Sequence, residues 1–217
     1  MFKNGKWNFK GIPDFANEDD AMRYFDKEEK YWSKGRYGLS GEYYKYLTMY
    51  RIRHRVSGEE VHPDFRMVDN ERIFPWIKET MTSRQDGVFV TQRGGGKSTI
   101  FLGYLPLGTA IMNEGSKVIM TSESVTTTQT NFAEKLKIAY DGLHPNYRPS
   151  LMGEWPDEKT PKQYVRFGFR KRGKADKGIK SIIQSIETAS SEKAPSKLEG
   201  QGCKLLLIDE LYKHHIS

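Results

Sequence analysis

The sequence predicts an α/β fold with a mostly parallel central sheet flanked by helices, preceded by a helical N-terminal subdomain. From residue 88 onward, strand-like and helical stretches alternate: VFVT, a glycine loop, an apolar segment through Met112, KVIMTS, and a helix over about residues 128–142. Near the end, KLLLIDEL is a short continuous apolar run, the pattern of a parallel strand buried on both faces. Residues 1–80, by contrast, are rich in Tyr, Trp, Arg and Glu and read as helices. The expected division is a helical subdomain over residues 1–84 and an α/β core over residues 85–217.

Taken in order, residues 18–32 have the spacing of a helix, glycines break the pattern at residues 35–41, and a second helical stretch runs from Glu42 towards Arg55. The strand VFVT then leads into TQRGGGKST, residues 91–99, and the apolar helix TIFLGYLPLGTAIM. Pro106 must end or kink that helix. KVIMTS is the next strand. Residues 143–200 are polar and irregular, with two strand-like pieces, QYVRFGF and SIIQSIE, on either side of a basic turn. No internal repeat of solenoid length is present.

Composition narrows the class. The 217 residues are 36% hydrophobic, enough for a packed core rather than a disordered chain. A net charge of +7 suits a polyanionic partner as well as an ordinary basic protein. One cysteine, Cys203, forms no internal disulfide, which fits a reducing compartment. Neither a secretory leader nor an apolar run of membrane length is seen, so a soluble intracellular protein is expected, with no membrane partner.

A strand that runs through glycines into a helix gathers backbone N–H groups at the positive end of that helix, a ready phosphate site. Gln92, Arg93, Gly94, Gly95, Gly96, Lys97, Ser98 and Thr99 are the candidate binding residues. Lys97 would reach the β- and γ-phosphates, and the Ser98 hydroxyl would ligate Mg²⁺. Alone, the motif competes with a glycine-rich turn holding an incidental lysine. The second motif weighs against that reading: KLLLIDEL delivers Asp209 and Glu210 at the carboxyl end of its strand, where parallel sheets bind ligands. Asp209 is the candidate metal residue with Ser98, and Glu210 the candidate that orients and deprotonates water. The pair points to a P-loop NTPase fold and to Mg²⁺-dependent hydrolysis of a nucleoside triphosphate.

Arg93 stands four residues before Lys97, and Thr91 occupies the place of the usual first glycine. This form resembles the large terminase subunit of tailed bacteriophages and herpesviruses, the ATPase that drives DNA into procapsids. TSESVTTTQTNFAEKLKIAYDGLHP, with Gln129, is similar to that family's hydroxyl-rich strand end and following helix, and SIETASSEKAPSKLEGQG ahead of KLLLIDEL resembles its serine-rich stretch and glycine. The likeness covers about residues 85–213. It implies that the nucleotide is ATP and that Arg93 approaches the γ-phosphate as a third catalytic residue beside Lys97 and Glu210. It also implies double-stranded DNA, a portal protein and a small terminase subunit as partners, a ring homo-oligomer during packaging, and action in the host cytoplasm. The chain departs from the family at Glu199-Gly200, where many members have Arg-Gly, and RIFPWIKE lacks the glutamine expected near an adenine. The family's coupling motif and nuclease domain would follow the D-E strand, so the likeness is to the front of such a protein. A helicase-like or other P-loop ATPase, or an inactive nucleotide-binding fragment, is the alternative.

The remaining features have plainer readings beside the functional ones. RFGFRKRGKADKGIK, residues 166–180, carries seven basic residues against Asp176 and suits either a DNA backbone or a solvated hairpin; Arg170, Lys171, Arg172 and Lys174 are its best DNA candidates. YRIRHR, residues 50–55, reads as an exposed helix face. His54, His62, His144, His214 and His215 lack zinc-site spacing. The N-terminal aromatics read as core, with Tyr44 and Phe74 the candidates to lie near an adenine.

Overall fold

A computed structural model of the chain describes residues 2–3, 6–54, 56–83, 85–90, 96–122, 124–156, 163–168, 177–187 and 202–208. The chain divides into two units, Met1–Arg93 and Gly94–Ser217.

The first unit opens with a short hairpin, β1 (Phe2–Lys3) and β2 (Lys6–Trp7). Helix α1 (Glu18–Lys34) follows, started by Asn17, whose side-chain oxygen accepts from the Asp20 N–H at 2.9 Å, with three acids in the first turn to complement the helix dipole. Gly35 ends it at φ 90°, and a Cβ there would stand 2.1 Å from the Leu39 carbonyl, so only glycine fits. Helix α2 (Gly41–Met49) is capped by the Ser40 hydroxyl and returns along α1. Trp32 donates its indole N–H to Thr48 at 3.0 Å, and Tyr44 donates to the buried Glu28 carboxylate at 2.8 Å. Tyr44 and Phe74 are fully buried core residues.

The second helix stops earlier than the sequence pattern suggests. Tyr50 is already extended at ψ 156°, and β3 (Ile52–Arg53) pairs with β4 (Glu60–Val61) across a turn through Gly58 at φ 73°. Within YRIRHR, residues 50–54 therefore form a hairpin arm rather than a helix face, and Arg55 lies outside the described residues; β-branched Ile52 and the glycine turn outweigh the helical spacing. A π-helical turn at Asp69–Ile73 leads into α3 (Phe74–Ser83). Arg66 pairs with the buried Asp69 at 2.6 Å and is itself fixed through Tyr43, whose hydroxyl accepts from the Arg66 N–H at 2.7 Å. The expected strand at residues 88–90 does not form. Val88 and Val90 are 77% and 87% exposed, while Phe89 packs on Trp76 with ring centres 5.3 Å apart.

In the second unit a helical run over residues 97–112 ends in α4 (Leu105–Met112), and a four-residue connection returns the chain into β5 (Lys117–Ser122). Helix α5 (Val125–Asn131), a π-helical turn at Phe132–Leu136, and α6 (Lys137–Asp141) then run as one helical stretch. Three more strands complete the unit: β6 (Tyr164–Arg166), β7 (Ile182–Glu187) and β8 (Leu205–Ile208). The sheet order is β6-β7-β5-β8, with β7 and β8 parallel to β5 and β6 antiparallel at the edge. The fold is thus α/β with a mixed four-stranded sheet flanked by helices. Val118, Ile119, Met120 and Ile183 are buried, and α4 and α5 each pack on both β5 and β7. β8 is less enclosed than its apolar run suggests: Leu206 and Ile208 are 42% and 39% exposed, β8 being an edge strand among the described residues. Among the described residues no helix is long and apolar enough to cross a membrane.

Candidate phosphate-binding site

Gly96 sits at φ 78°, a conformation that favours glycine, and Lys97 and Ser98 directly after it begin the helical run. The Ile100 N–H closes the first turn onto the Gly96 carbonyl at 3.3 Å. The N–H groups ahead of Ile100 belong to the start of a helix and have no intrahelical acceptor. Unlike α1, this start brings no acidic residue into its first turn. Backbone donors and the positive end of the helix dipole thus belong to the same helix end as Lys97. Lys97, Ser98 and Thr99 are all half-buried.

Pro106 shapes this helix without ending it. The stretch Thr99–Tyr104 is π-helical, and the Leu105 N–H bonds to the Ile100 carbonyl five residues back. The wider turn comes immediately before Pro106, which has no N–H to give and would press on the carbonyl four residues earlier in a regular helix.

Topology sets which end of the sheet receives this loop. The four-residue connection after α4 forces the helical run to return antiparallel to β5, so Gly96, Lys97 and Ser98 lie towards the carboxyl end of β5. At that end Ile208, the last residue of β8, pairs with Thr121. Asp209 and Glu210 come directly after Ile208 in sequence, but both lie outside the described residues, as do Gln92, Arg93, Gly94 and Gly95. The same holds for Arg170, Lys171, Arg172 and Lys174 of the basic turn, and for His214 and His215.

The sequence pattern alone does not disclose two features of this end. Ser124 caps α5, its hydroxyl accepting from the Thr127 N–H at 3.1 Å, so a second helix starts just beyond β5. The helix opens at Val125, one turn before Gln129, which is half-buried within it. Glu187 closes β7 opposite Ser122, placing a half-buried carboxylate at the carboxyl end of a parallel strand. A signal for it is present: SIIQSIE ends on an acid just as LLLID does.

The histidines have local roles. His144 accepts from the Asn146 N–H at 3.3 Å, His54 engages Ser57, and His62 bonds the Tyr50 carbonyl at 2.9 Å. Burial and the nearby Arg51 lower the His62 imidazole to about 4, so it is neutral at pH 7 and its Nδ1–H donates. Among the described residues no group of three His, Cys, Asp or Glu side chains is arranged to hold a metal ion.

Comparison with known proteins adds nothing to the geometry: no family model and no curated protein matches the chain.

Proposed function

We propose that this protein is a P-loop ATPase of the DNA-packaging type, resembling the ATPase portion of a large terminase subunit. The observation that carries the reading is Gly96 at φ 78° opening directly into a helix that begins Lys97-Ser98, towards the carboxyl end of the parallel strands β5, β7 and β8. These residues fit a phosphate: the backbone supplies donors, Lys97 supplies charge and Ser98 supplies a hydroxyl for Mg²⁺. Bound Mg²⁺ would neutralise charge on the β- and γ-phosphate oxygens. In this reading Asp209 holds the metal's water shell, Glu210 orients the attacking water and Arg93 reaches the γ-phosphate. The assigned partners are double-stranded DNA, a portal protein and a small terminase subunit, in a ring of identical chains in the host cytoplasm.

Thermal unfolding of the chain with and without Mg-ATP tests the site. At about one hundred times Kd, a ligand that binds the folded state adds about 2.7 kcal/mol, a shift of about 5–10 °C for a chain of this size. Lys97→Ala should abolish that shift, because the loop backbone alone does not balance a triphosphate. A shift that survives the substitution would remove Lys97 from the site.

A further inference from the structure

The strand order brings the two ends of the basic stretch 166–180 together with lysines from distant parts of the sequence. Because β6 is antiparallel to β7, its last residue lies at the amino end of the parallel strands, where Arg166 pairs with Ile182. At the same end Lys204 precedes β8, Lys117 opens β5, and Lys177 and Lys180 stand in the turn that leads into β7. The adjacency is fixed by backbone hydrogen bonds: Lys204 N–H to Lys117 O at 2.7 Å, Ile182 N–H to Ser116 O at 2.9 Å, and Phe167 N–H to Ser181 O at 2.9 Å. The turn is pinned as well, by Gly115 N–H to Ile179 O at 2.7 Å and by the Ser181 hydroxyl to Asn113 O at 2.9 Å.

Four of these five side chains are exposed. Arg166, Lys177, Lys180 and Lys204 are exposed and Lys117 is half-buried. Arg166 lies over the Tyr164 ring at 5.3 Å, which holds its guanidinium near the strand without covering it. Glu114, 73% exposed on its side chain, is 3.7 Å from Lys180 and offsets one charge of the row. Strands about 4.8 Å apart spread the four strand ends that carry these five residues over roughly 14 Å. A duplex presents about eight phosphates along that length of axis.

Like charges at neighbouring strand ends repel one another, and neither the parallel ladder nor the hydrophobic core requires them there. A polyanion relieves that repulsion, and a rigid mount on strand ends suits contacts that do not depend on base order. We propose that the amino end of the sheet is a contact surface for the phosphate backbone of double-stranded DNA. The choice of duplex as the polyanion rests on the packaging-ATPase reading; the gathering of the bases does not. This end is opposite the one that carries Gly96, Lys97 and Ser98, so nucleotide and duplex would not compete.

The test measures the affinity of the full chain for a short mixed-sequence duplex across roughly 50 to 200 mM salt. The variant Arg166→Gln, Lys177→Gln, Lys180→Asn, Lys204→Gln uses asparagine at Lys180 because that residue has φ 55°, which asparagine tolerates. The slope of log affinity against log salt should fall by about 0.9 for each phosphate that is no longer neutralised, to a limit of about 3.6 for four, whatever the base sequence. Glu114→Gln, which removes the acid and needs no repacking, should steepen the slope and tighten binding. Equal slopes for wild type and the fourfold variant, or no duplex binding by wild type, would overturn the inference. Tighter binding of single-stranded RNA or anionic vesicles than of duplex would overturn the choice of partner. Thermal shift by Mg-ATP, read on the same proteins, separates the two conclusions. A retained shift with unchanged slopes defeats only the surface, and an absent wild-type shift with a reduced variant slope defeats only the nucleotide site.

Discussion

Gly103 lies where the helix that begins at Lys97 meets the π-helical turn Phe132–Leu136, and replacing it weighs helix propensity directly against packing. A Cβ built at Gly103 would stand 3.2 Å from the Lys135 carbonyl oxygen and 3.6 Å from its carbon. Alanine gains about 1 kcal/mol over glycine as a helix former. Against this, an approach that tight forces the two helical segments apart by a few tenths of an ångström, and overpacking of a well-filled core costs about 1–3 kcal/mol. Packing wins. Gly103→Ala should lose about 1 kcal/mol, and Gly103→Val, which adds two more carbons and a stiff β-branch, about 3 kcal/mol. Urea unfolding with a constant m-value is the assay. An open-space control is Gly115, at φ 66° with no atom within 4 Å of an added Cβ, where asparagine should be tolerated better than alanine. If Gly103→Ala proved about 1 kcal/mol more stable than wild type, propensity alone would govern, and the close approach of the two helical segments would be wrong.

Two further substitutions probe the first unit. Tyr44→Phe removes the hydroxyl that donates to the buried Glu28 carboxylate at 2.8 Å and leaves Arg36 at 3.6 Å; it should cost about 2 kcal/mol in chemical denaturation, and an unchanged midpoint would refute the bond's role. His62, lowered to about 4 in the folded chain, binds fewer protons there than in the unfolded chain, so its contribution is complete above about pH 6.5 and is lost as pH falls from there through 4. With partial exposure discounted, that loss is about 2 kcal/mol. The raised carboxyl of Asp69, also caused by burial, acts in the opposite direction. His62→Gln should therefore remove an acid-side loss of stability, seen as a smaller drop in melting temperature between pH 6.5 and 4 than in wild type.

Where the sequence is locally decisive, the fold was legible in it. KVIMTS is β5 to the residue, SIIQSIE contains β7, and the helical spacing of residues 18–32 falls within α1, because such patterns act within a few residues. VFVT misleads for the converse reason. A strand needs a partner for its backbone, and nothing in four residues states where one is; Val88 and Val90 remain exposed while Phe89 finds Trp76. The early end of α2 at Met49 was hidden because the helical spacing of residues 42–55 continues past the point where Tyr50 turns extended. At the candidate site, Gly96 and the helix after it could be read directly. Glu187 and the cap at Ser124 could be placed at the same end only once the parallel pairing of β5 and β7 was known.

That pairing also explains why the two ends of the sheet carry different chemistry. A helix that runs antiparallel to a strand turns its N–H end towards the strand's carboxyl terminus, so in the proposed site an anion would be met by backbone donors and would need few cations: Lys97 is the described one beside Gly96. At the amino end the same helix presents carbonyls. Helix α4 has no basic residue in its last turn, and from its end at Met112 the chain passes through the short connection into Lys117. An anion approaching there meets the unfavourable end of the dipole, and only side chains can draw it in. Arg166 and Lys180, the two ends of the basic stretch 166–180, are joined there by Lys117 and Lys204 from elsewhere in the chain, a grouping that emerges only from the order β6-β7-β5-β8. Reversing β6 to a parallel strand would carry Arg166 to the opposite end; the antiparallel edge strand is what completes the row.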